Sequence, residues 1–225
     1  MEEDSRFDLR DIVSISKSLI EELPYFDKEE DCLVANFTEG GNYPVVVLTG
    51  ENAMGKSFLR RLYQVMIKSY AKIECIHLSQ QGRSSGSFPS AFIYGDESWE
   101  STGQITSRTI TTCINTSASR EDKNAIIWDE PEIGLSDSYA AGAGLKIREF
   151  IECNNENLFG VIVISHSKYL IKQLLPLNPH HLRVGDNKSL DSFLNETVEP
   201  KNIEELSVKA VEMFRKIEKI IKRKG

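Results

Sequence analysis

The chain has 225 residues, 40% of them hydrophobic and 27% charged, a balance that is ordinary for a soluble domain with a sizeable core. Its net charge of −7 argues against a chain-wide basic surface for nucleic acid. No apolar run approaches membrane-spanning length, and the acidic start MEEDSRFD does not match a signal peptide. We therefore expect a cytoplasmic protein without a membrane partner.

The cysteines are widely spaced and form no C-x-x-C pair: Cys32, Cys75, Cys113 and Cys153. This spacing is typical of reduced core cysteines and favours neither a disulfide framework nor a thiolate metal site.

Strand-like and helical patterns alternate along the chain, which predicts an α/β fold with a mostly parallel sheet covered by helices. The predicted strands are 32–37, 45–49, 72–78, 125–130 and 160–165, and the predicted helices are 8–22, 56–70 and 138–153. The strands at 125–130 and 160–165 are continuous apolar runs, as expected for strands buried on both faces. The Ser- and Gly-rich stretch 79–102 is expected to be an irregular, exposed excursion.

The segment VVVLTGENAMGKSFLRR, residues 45–61, places a G-x4-G-K-S loop between a buried strand and a helix. Such a loop points its backbone N–H groups inward at an anion, and the helix dipole adds positive charge. Lys56 can reach the terminal phosphates, and the Ser57 hydroxyl can bind Mg²⁺. The pattern predicts a P-loop NTPase fold with nucleotide-binding residues Gly50, Glu51, Asn52, Ala53, Met54, Gly55, Lys56, Ser57 and Phe58. It does not by itself separate kinases, GTPases, motors and ABC-type switches.

Polar residues follow two of the predicted strands. AIIWDE places Asp129 and Glu130 after an apolar run, and VIVISH places His166 after the next. Beside a P-loop, Asp129 is expected to hold Mg²⁺ and Glu130 to orient or deprotonate an attacking water. His166 is expected to donate to the terminal phosphate and to sense its loss. The alternative is that these residues merely end their strands.

The stretch ESTGQITSRTI, residues 100–110, forms a small polar turn before a helical run. Ser101, Gly103 and Gln104 can present N–H groups and a hydroxyl as a second anion cradle, which two chains placed head to tail would each use to close the other's site. An ordinary helix N-cap is the alternative.

Taken together, these segments resemble the ABC-type ATPase family. Gly50–Ser57 is similar to its Walker A motif, AIIWDE to its Walker B motif with the catalytic glutamate, and His166 to its switch histidine. STGQ looks like a degenerate signature motif in which Thr102 replaces a glycine. GLSD, residues 134–137, is similar to the D-loop, with Asp137 as its aspartate.

The resemblance also implies a Q-loop glutamine that contacts nucleotide and metal. Gln80 and Gln81 both stand at that position, and Gln80 is preferred because it is nearer the preceding strand. The implied cofactors are ATP and Mg²⁺, the implied catalytic residues are Glu130 and His166, and the implied metal-binding residues are Ser57, Asp129 and Gln80.

The interval from Gln80 to Ser101 is too short for the helical subdomain that docks transporter ATPases on their membrane partner. The chain looks more like a minimal member of the non-transporter branch, the SMC/Rad50/OLD-like and AAA_21-type ATPases. That likeness implies an ATP-dependent homodimer that hydrolyses ATP and switches a protein partner, with DNA contact open, in DNA maintenance or phage conflict. A transporter subunit, a small-molecule kinase and a non-catalytic scaffold are the alternatives.

We expect an ATPase domain at residues 1–200 and a basic amphipathic helix at the C-terminal end, residues 201–225. Apolar residues at helical spacing lie on one face of this segment: Val208, Val211, Phe214, Ile217 and Ile221. We expect this stripe to pack on the sheet domain. The basic cluster of Lys219, Lys222, Arg223 and Lys224 either complements the helix dipole or docks on DNA or an acidic partner.

Overall fold

The computed structural model describes residues 7–23, 26, 35–41, 44–78, 101–153 and 156–224. The strands are β1 (Ala35–Thr38), β2 (Val45–Gly50), β3 (Glu74–Leu78), β4 (Asn124–Asp129), β5 (Leu158–Ile164) and β6 (His180–Val184). The helices are α1 (Leu9–Glu22), α2 (Lys56–Met66), α3 (Thr102–Ala118), α4 (Asp137–Glu152), α5 (Lys168–Leu174), α6 (Leu190–Asn195) and α7 (Glu204–Lys224). A π-helical turn, Ile67–Ala71, continues α2, and a 3-10 turn, Leu175–Leu177, follows α5.

The strands form one sheet in the order β1-β6-β2-β5-β4-β3. All neighbouring pairs are parallel except β1 and β6, which are antiparallel. The prediction of an α/β fold with a mostly parallel sheet covered by helices is confirmed. The strand β5 lies between the P-loop strand β2 and the Asp129 strand β4, so residues that follow β5 stand between those two motifs.

Successive residues of the central strands supply two hydrophobic layers, because side chains alternate between the faces of a sheet. Val46 and Leu48 of β2 face the layer built with α1 and α2, in which Leu59 and Tyr63 are buried. Val45 and Val47 face the opposite layer, built with α3, α4 and α5. Both faces of β2 are therefore dry, which explains its uninterrupted apolar sequence.

Most predicted elements agree with the observed ones within a few residues, while residues 32–34 and residues 79–100 of the predicted excursion 79–102 lie outside the described ranges. The last two residues of that excursion are the N-cap and first residue of α3. β6, α5 and α6 were not predicted. The sequence of β6, HHLRV, does not look like a buried strand, yet His181 and Arg183 are each 2% exposed. Nε2 of His181 lies 2.8 Å from Oγ1 of Thr49, and Arg183 forms two hydrogen bonds to Asp186. Internal partners thus allow polar residues in a central strand.

The expected packing of the α7 apolar stripe is wrong for three of its residues. Val208, Val211 and Phe214 are 56%, 49% and 68% exposed, whereas Met213 packs against the layer that contains α1 and α2. Met213 and the ion pairs of the α7 lysine Lys209 lie on a different side of the helix from Val211 and Phe214. These contacts orient α7 and leave the predicted stripe in solvent. Among the described helices, α7 included, none has the length and apolar content to cross a membrane.

Two glycines of α4 test how tightly α4 packs on α5. A Cβ at Gly144 would lie 2.5 Å from the carbonyl oxygen of Leu170, whereas a Cβ at Gly142 has nothing within 4 Å. We expect Gly144→Ala to lower the free energy of unfolding by about 1–3 kcal/mol, because backbone must move apart. Gly142→Ala is the matched control, and its better helix propensity should raise that free energy by about 0.5–1 kcal/mol. Urea unfolding followed by circular dichroism measures both, and equal shifts would contradict the packing.

Candidate functional site

The chemically important residues meet at the carboxyl edge of the sheet because three parallel strands end in register. Ile164 of β5 pairs with Leu48 of β2 on one side and with Asp129 of β4 on the other. The backbone N–H of Glu130 donates to the Ile164 carbonyl at 2.8 Å, which carries the alignment one residue past β4. The P-loop, the Asp129–Glu130 pair and His166 therefore open onto one edge, where ligands of such sheets bind.

The P-loop turn uses its glycines in two different ways. Gly55 adopts a φ of +99° and Ala53 a φ of +63°, so the left-handed turn falls on these two residues. Gly50 has no positive φ, but a Cβ there would lie 2.6 Å from the Val184 carbonyl oxygen of β6. Gly50 is thus required for close packing against the neighbouring strand rather than for the curl of the loop itself.

Lys56 is folded into the P-loop and is only 8% exposed. Its Nζ donates to the carbonyl oxygens of Gly50, at 3.1 Å, and Glu51, at 2.8 Å. Burial lowers the pKa of Lys56 to about 8, and the nearby carboxylates of Glu130 and Asp129 only partly oppose that effect. The ammonium group is desolvated and lacks a close anionic partner in the described structure, so an arriving phosphate would stabilise it.

Asp129 lies beside Arg60, a residue of α2 that the sequence interpretation did not assign to the site. Arg60 Nε is 3.3 Å from Asp129 Oδ2, and Arg60 Nη1 is 2.7 Å from Nε2 of His77 on β3. Burial raises the pKa of Asp129, against the opposing charge of Arg60. Burial, together with Arg60, lowers the pKa of His77 to about 4, so this imidazole is neutral at pH 7.

The donors expected for Mg²⁺ fit a hydroxyl-and-carboxylate site. Ser57 is exposed at the start of α2, and Asp129 ends the strand β4. Oxygen ligands of this kind suit Mg²⁺, which takes most of its remaining ligands from phosphates and water. The third expected ligand, Gln80, and its alternative Gln81 lie outside the described residues.

Glu130 and His166 face each other across the ends of β4 and β5. Oε1 of Glu130 lies 3.3 Å from Nε2 of His166, and this polar contact lowers the pKa of Glu130 against the opposing effect of burial. The distance does not come with hydrogen-bond geometry, so His166 Nε2 is buried without a hydrogen-bond partner in the described part of the chain. Glu130 also has a φ of +54°, an unfavourable conformation that is common at functional sites.

Glu132 is a functional candidate that the sequence interpretation missed. Its Oε1 accepts three hydrogen bonds: from Ser165 Oγ at 2.8 Å, from the His166 N–H at 2.8 Å and from the Ser167 N–H at 3.1 Å. One carboxylate oxygen thus ties the turn after β4 to the turn after β5 and sets the backbone position of His166. The third acidic residue of DEPE, Glu132 itself, was the available signal, but only the register of β4 and β5 shows its target.

The turn at Ser101 is a helix cap in this structure. Ser101 and Gln104 form a capping box, in which Gln104 Oε1 accepts from the Ser101 N–H at 2.9 Å. A Cβ at Gly103 would lie 2.9 Å from the Gly134 carbonyl oxygen, and the exposed Asp137 begins α4 shortly beyond. The helix α3 packs on β4 and β3, which lie two and three strand spacings from β2, so about 10–14 Å of sheet separates these strands from the P-loop strand.

No protein-family model matches the chain, and no curated protein matches it. One similar solved structure is a chain of the complex of the archaeal ribosomal stalk protein aP1 and ribosome recycling factor aABCE1 (TM-score 0.43, 15% identity, 79% of this chain and 46% of that one). Another is Cdc6p from Pyrobaculum aerophilum (TM-score 0.39, 10% identity, 81% and 47%). A third is a chain of the E. coli MS115-1 HORMA:CdnC:Trip13 complex (TM-score 0.33, 15% identity, 55% and 42%). The chain spans less than half of each of these chains.

The role of Glu132 can be tested by stability. We expect Glu132→Ala to lower the free energy of unfolding by about 2–4 kcal/mol, because three donors lose their shared acceptor. Glu132→Gln keeps an amide oxygen for those donors and should lose less than half as much. The control is Ser167→Ala. It removes the N-cap of α5, in which Ser167 Oγ accepts from the Leu170 N–H at 3.2 Å, and should lower the free energy of unfolding by about 1 kcal/mol. If both Glu132 variants unfold like the wild type in urea, the carboxylate does not hold the turn.

Proposed function

We propose that the chain is an ABC-type ATPase of the non-transporter branch, which binds and hydrolyses ATP with Mg²⁺. The observation that carries this proposal is the convergence of Lys56, Asp129, Glu130 and His166 at one edge of a parallel sheet, aligned through Ile164. Lys56 binds the terminal phosphates, and Ser57 and Asp129 hold the metal. A metal-bound triphosphate supplies the reactive phosphoanhydride.

In the hydrolysis step, Glu130 accepts the proton of the attacking water, while that water's oxygen forms the new bond to phosphorus and ADP leaves. The lowered pKa of Glu130 keeps the carboxylate ionised at neutral pH, as a base must be. His166 Nε2 is buried without a hydrogen-bond partner in the described residues and stands beside Glu130, where it can donate to the phosphate being transferred. Glu132 accepts a hydrogen bond from the His166 N–H and so fixes the backbone that carries the imidazole.

We further propose that two chains act head to tail, with Ser101, Gly103 and Gln104 of one closing the nucleotide site of the other. Ser101 and Gln104 are exposed, which supports this arrangement because both can contact a second chain. Asp137 begins the helix next to that turn and would lie at the same interface.

The output of this ATPase would pass to a protein partner or effector in another chain. The exposed Val208, Val211 and Phe214 of α7 support a protein contact, since they form an apolar row on one side of the helix. From the family resemblance we infer that this switch acts in DNA maintenance or phage conflict. Direct DNA contact is part of the proposal, because the C-terminal end of α7 is basic.

Two variants separate nucleotide binding from hydrolysis. We expect Lys56→Ala to weaken ATP affinity at least about tenfold, because a charge-assisted contact to phosphate is lost. Glu130→Gln should bind ATP like the wild type and lower turnover by about 10²–10⁴-fold, because the amide cannot accept a proton. Equilibrium binding and phosphate release measure the two effects. Glu121→Gln, exposed at the opposite end of β4, is the control. Full turnover by Glu130→Gln would remove Glu130 as the base.

The trans role of Ser101 is tested by size in the presence of ATP. We expect Glu130→Gln to shift to a dimer with ATP, and the added Ser101→Arg change to keep ATP binding but block that shift, because the bulk fills the cradle. Ser107→Arg puts the same side chain on an exposed position of α3 and should not interfere. Ser101→Ala controls for the lost cap, worth about 1 kcal/mol. Normal dimerisation of the Ser101→Arg protein would reduce the turn to a helix cap.

A further inference from the structure

The P-loop faces a segment from the far end of the chain, residues 196–209, which we call the C-terminal strap. It leaves α6, runs without regular structure and enters the first turns of α7. The strap is anchored at its start, because Lys168 Nζ donates to the Glu196 carbonyl oxygen at 2.6 Å and Lys188 pairs with the Glu196 carboxylate at 2.5 Å. It is thus fixed to the sheet domain beside the candidate nucleotide site.

A cavity of about 790 Å³ lies between the strap and the P-loop. Its wall on the sheet side includes Glu51, Asn52 and His166, and the strap forms much of the other wall. This volume falls within the range that small-molecule and cofactor sites occupy. Because two P-loop residues and the candidate phosphate sensor line it, the cavity borders the candidate phosphate site.

Lysines of the strap lie opposite an acidic residue of the P-loop, Glu51. Glu51 places a carboxylate in a loop that should attract phosphate, and like charge would weaken binding. Lys201 pairs with Glu51, and Lys209 Nζ lies 3.9 Å from its other carboxylate oxygen. The pairing with Lys201 lowers the pKa of Glu51, so the carboxylate is ionised and neutralised by the strap at neutral pH. Both lysines remain about half exposed, at 58% and 43%, and can reach an added anion.

The strap also brings apolar side chains to the same cavity. Val198 and Ile203 are each 76% exposed and Leu206 is 38% exposed, although all three line its wall. An exposed apolar group gains little from water, whereas it gains about 25 cal/mol for each Å² that a flat aromatic base covers. The wall thus carries both cations and apolar side chains, the two kinds of group that the phosphates and the base of a nucleotide need.

We propose that the C-terminal strap is the second wall of the nucleotide site: Lys201 and Lys209 bind the phosphates alongside the P-loop, and Val198, Ile203 and Leu206 cover the base. This inference rests on the proposed ATP binding and adds the part of the chain that holds the base. It assigns the cavity to a nucleoside triphosphate rather than to a peptide.

The test compares ATP with inorganic tripolyphosphate, both with Mg²⁺, by isothermal titration calorimetry. Lys201→Gln should weaken both ligands about tenfold, because both carry the phosphates. Ile203→Asn should weaken ATP about three- to tenfold and leave tripolyphosphate unchanged, because only ATP has a base and the amide adds no charge. Both side chains are more than half exposed, so folding should be unaffected, which thermal melting checks. The controls are Lys219→Gln and Val211→Asn, exposed residues of α7 outside the cavity wall, which should bind like the wild type.

The failures are distinguishable. A wild-type chain that binds neither ligand, or a Lys56→Ala chain that binds ATP normally, overturns the proposed ATP binding itself. A wild type that binds ATP and depends on Lys56, with unchanged affinity in both strap variants, overturns the strap assignment alone. Equal losses of ATP and tripolyphosphate with Ile203→Asn would also overturn it, because the apolar wall would then not contact the base.

Discussion

The candidate site depends on one register: Ile164 of β5 stands opposite Leu48 of β2 and opposite Asp129 of β4. This alignment brings the P-loop, the acidic pair and the Ser165–His166 turn to the same height at the edge of the sheet. A slip of one residue in β5 would move His166 by about 3.3 Å and turn each β5 side chain to the other face. The apolar layers on both faces oppose such a slip, so core packing and site geometry are one constraint.

Burial sets the electrostatics of the two oppositely charged groups at the candidate site, Lys56 and Asp129. Burial lowers the pKa of Lys56 and raises the pKa of Asp129, so the charged forms of both groups are disfavoured by their surroundings. Opposite charges placed against each would reverse those effects. Phosphate against Lys56 and a divalent cation against Asp129 would do so together, which is a physical reason to expect the two ligands to bind as one complex. In the chain itself, the positive charge beside Asp129 is Arg60, whose Nε lies 3.3 Å from Asp129 Oδ2.

Sequence alone predicted the parts of the fold whose residues follow one simple pattern. The strands β2, β4 and β5 are continuous apolar runs, and the loop before α2 carries a specific glycine spacing. The strand β6 escaped prediction because buried His181 and Arg183 have internal partners that only the fold supplies. Glu132 and Arg60 escaped for a related reason: each acts on a residue far away in sequence, and no local periodicity encodes that contact. The predicted burial of Val208, Val211 and Phe214 failed because amphipathic spacing shows that a face is apolar, not what covers it.

The unpredicted strand β6 explains how the strap comes to lie by the P-loop. β6 neighbours β2 on the side opposite β5, and its end leads into Gly185 and Asp186, against which the P-loop residue Met54 packs. Asp186 is held by Arg183, and Lys188 pairs with Glu196 at the start of the strap. The candidate catalytic groups thus approach the P-loop from the β5 and β4 side, while the strap approaches from the β6 side. Since β6 also touches Gly50 through the Val184 carbonyl, any shift of β6 would move the phosphate loop and the strap together.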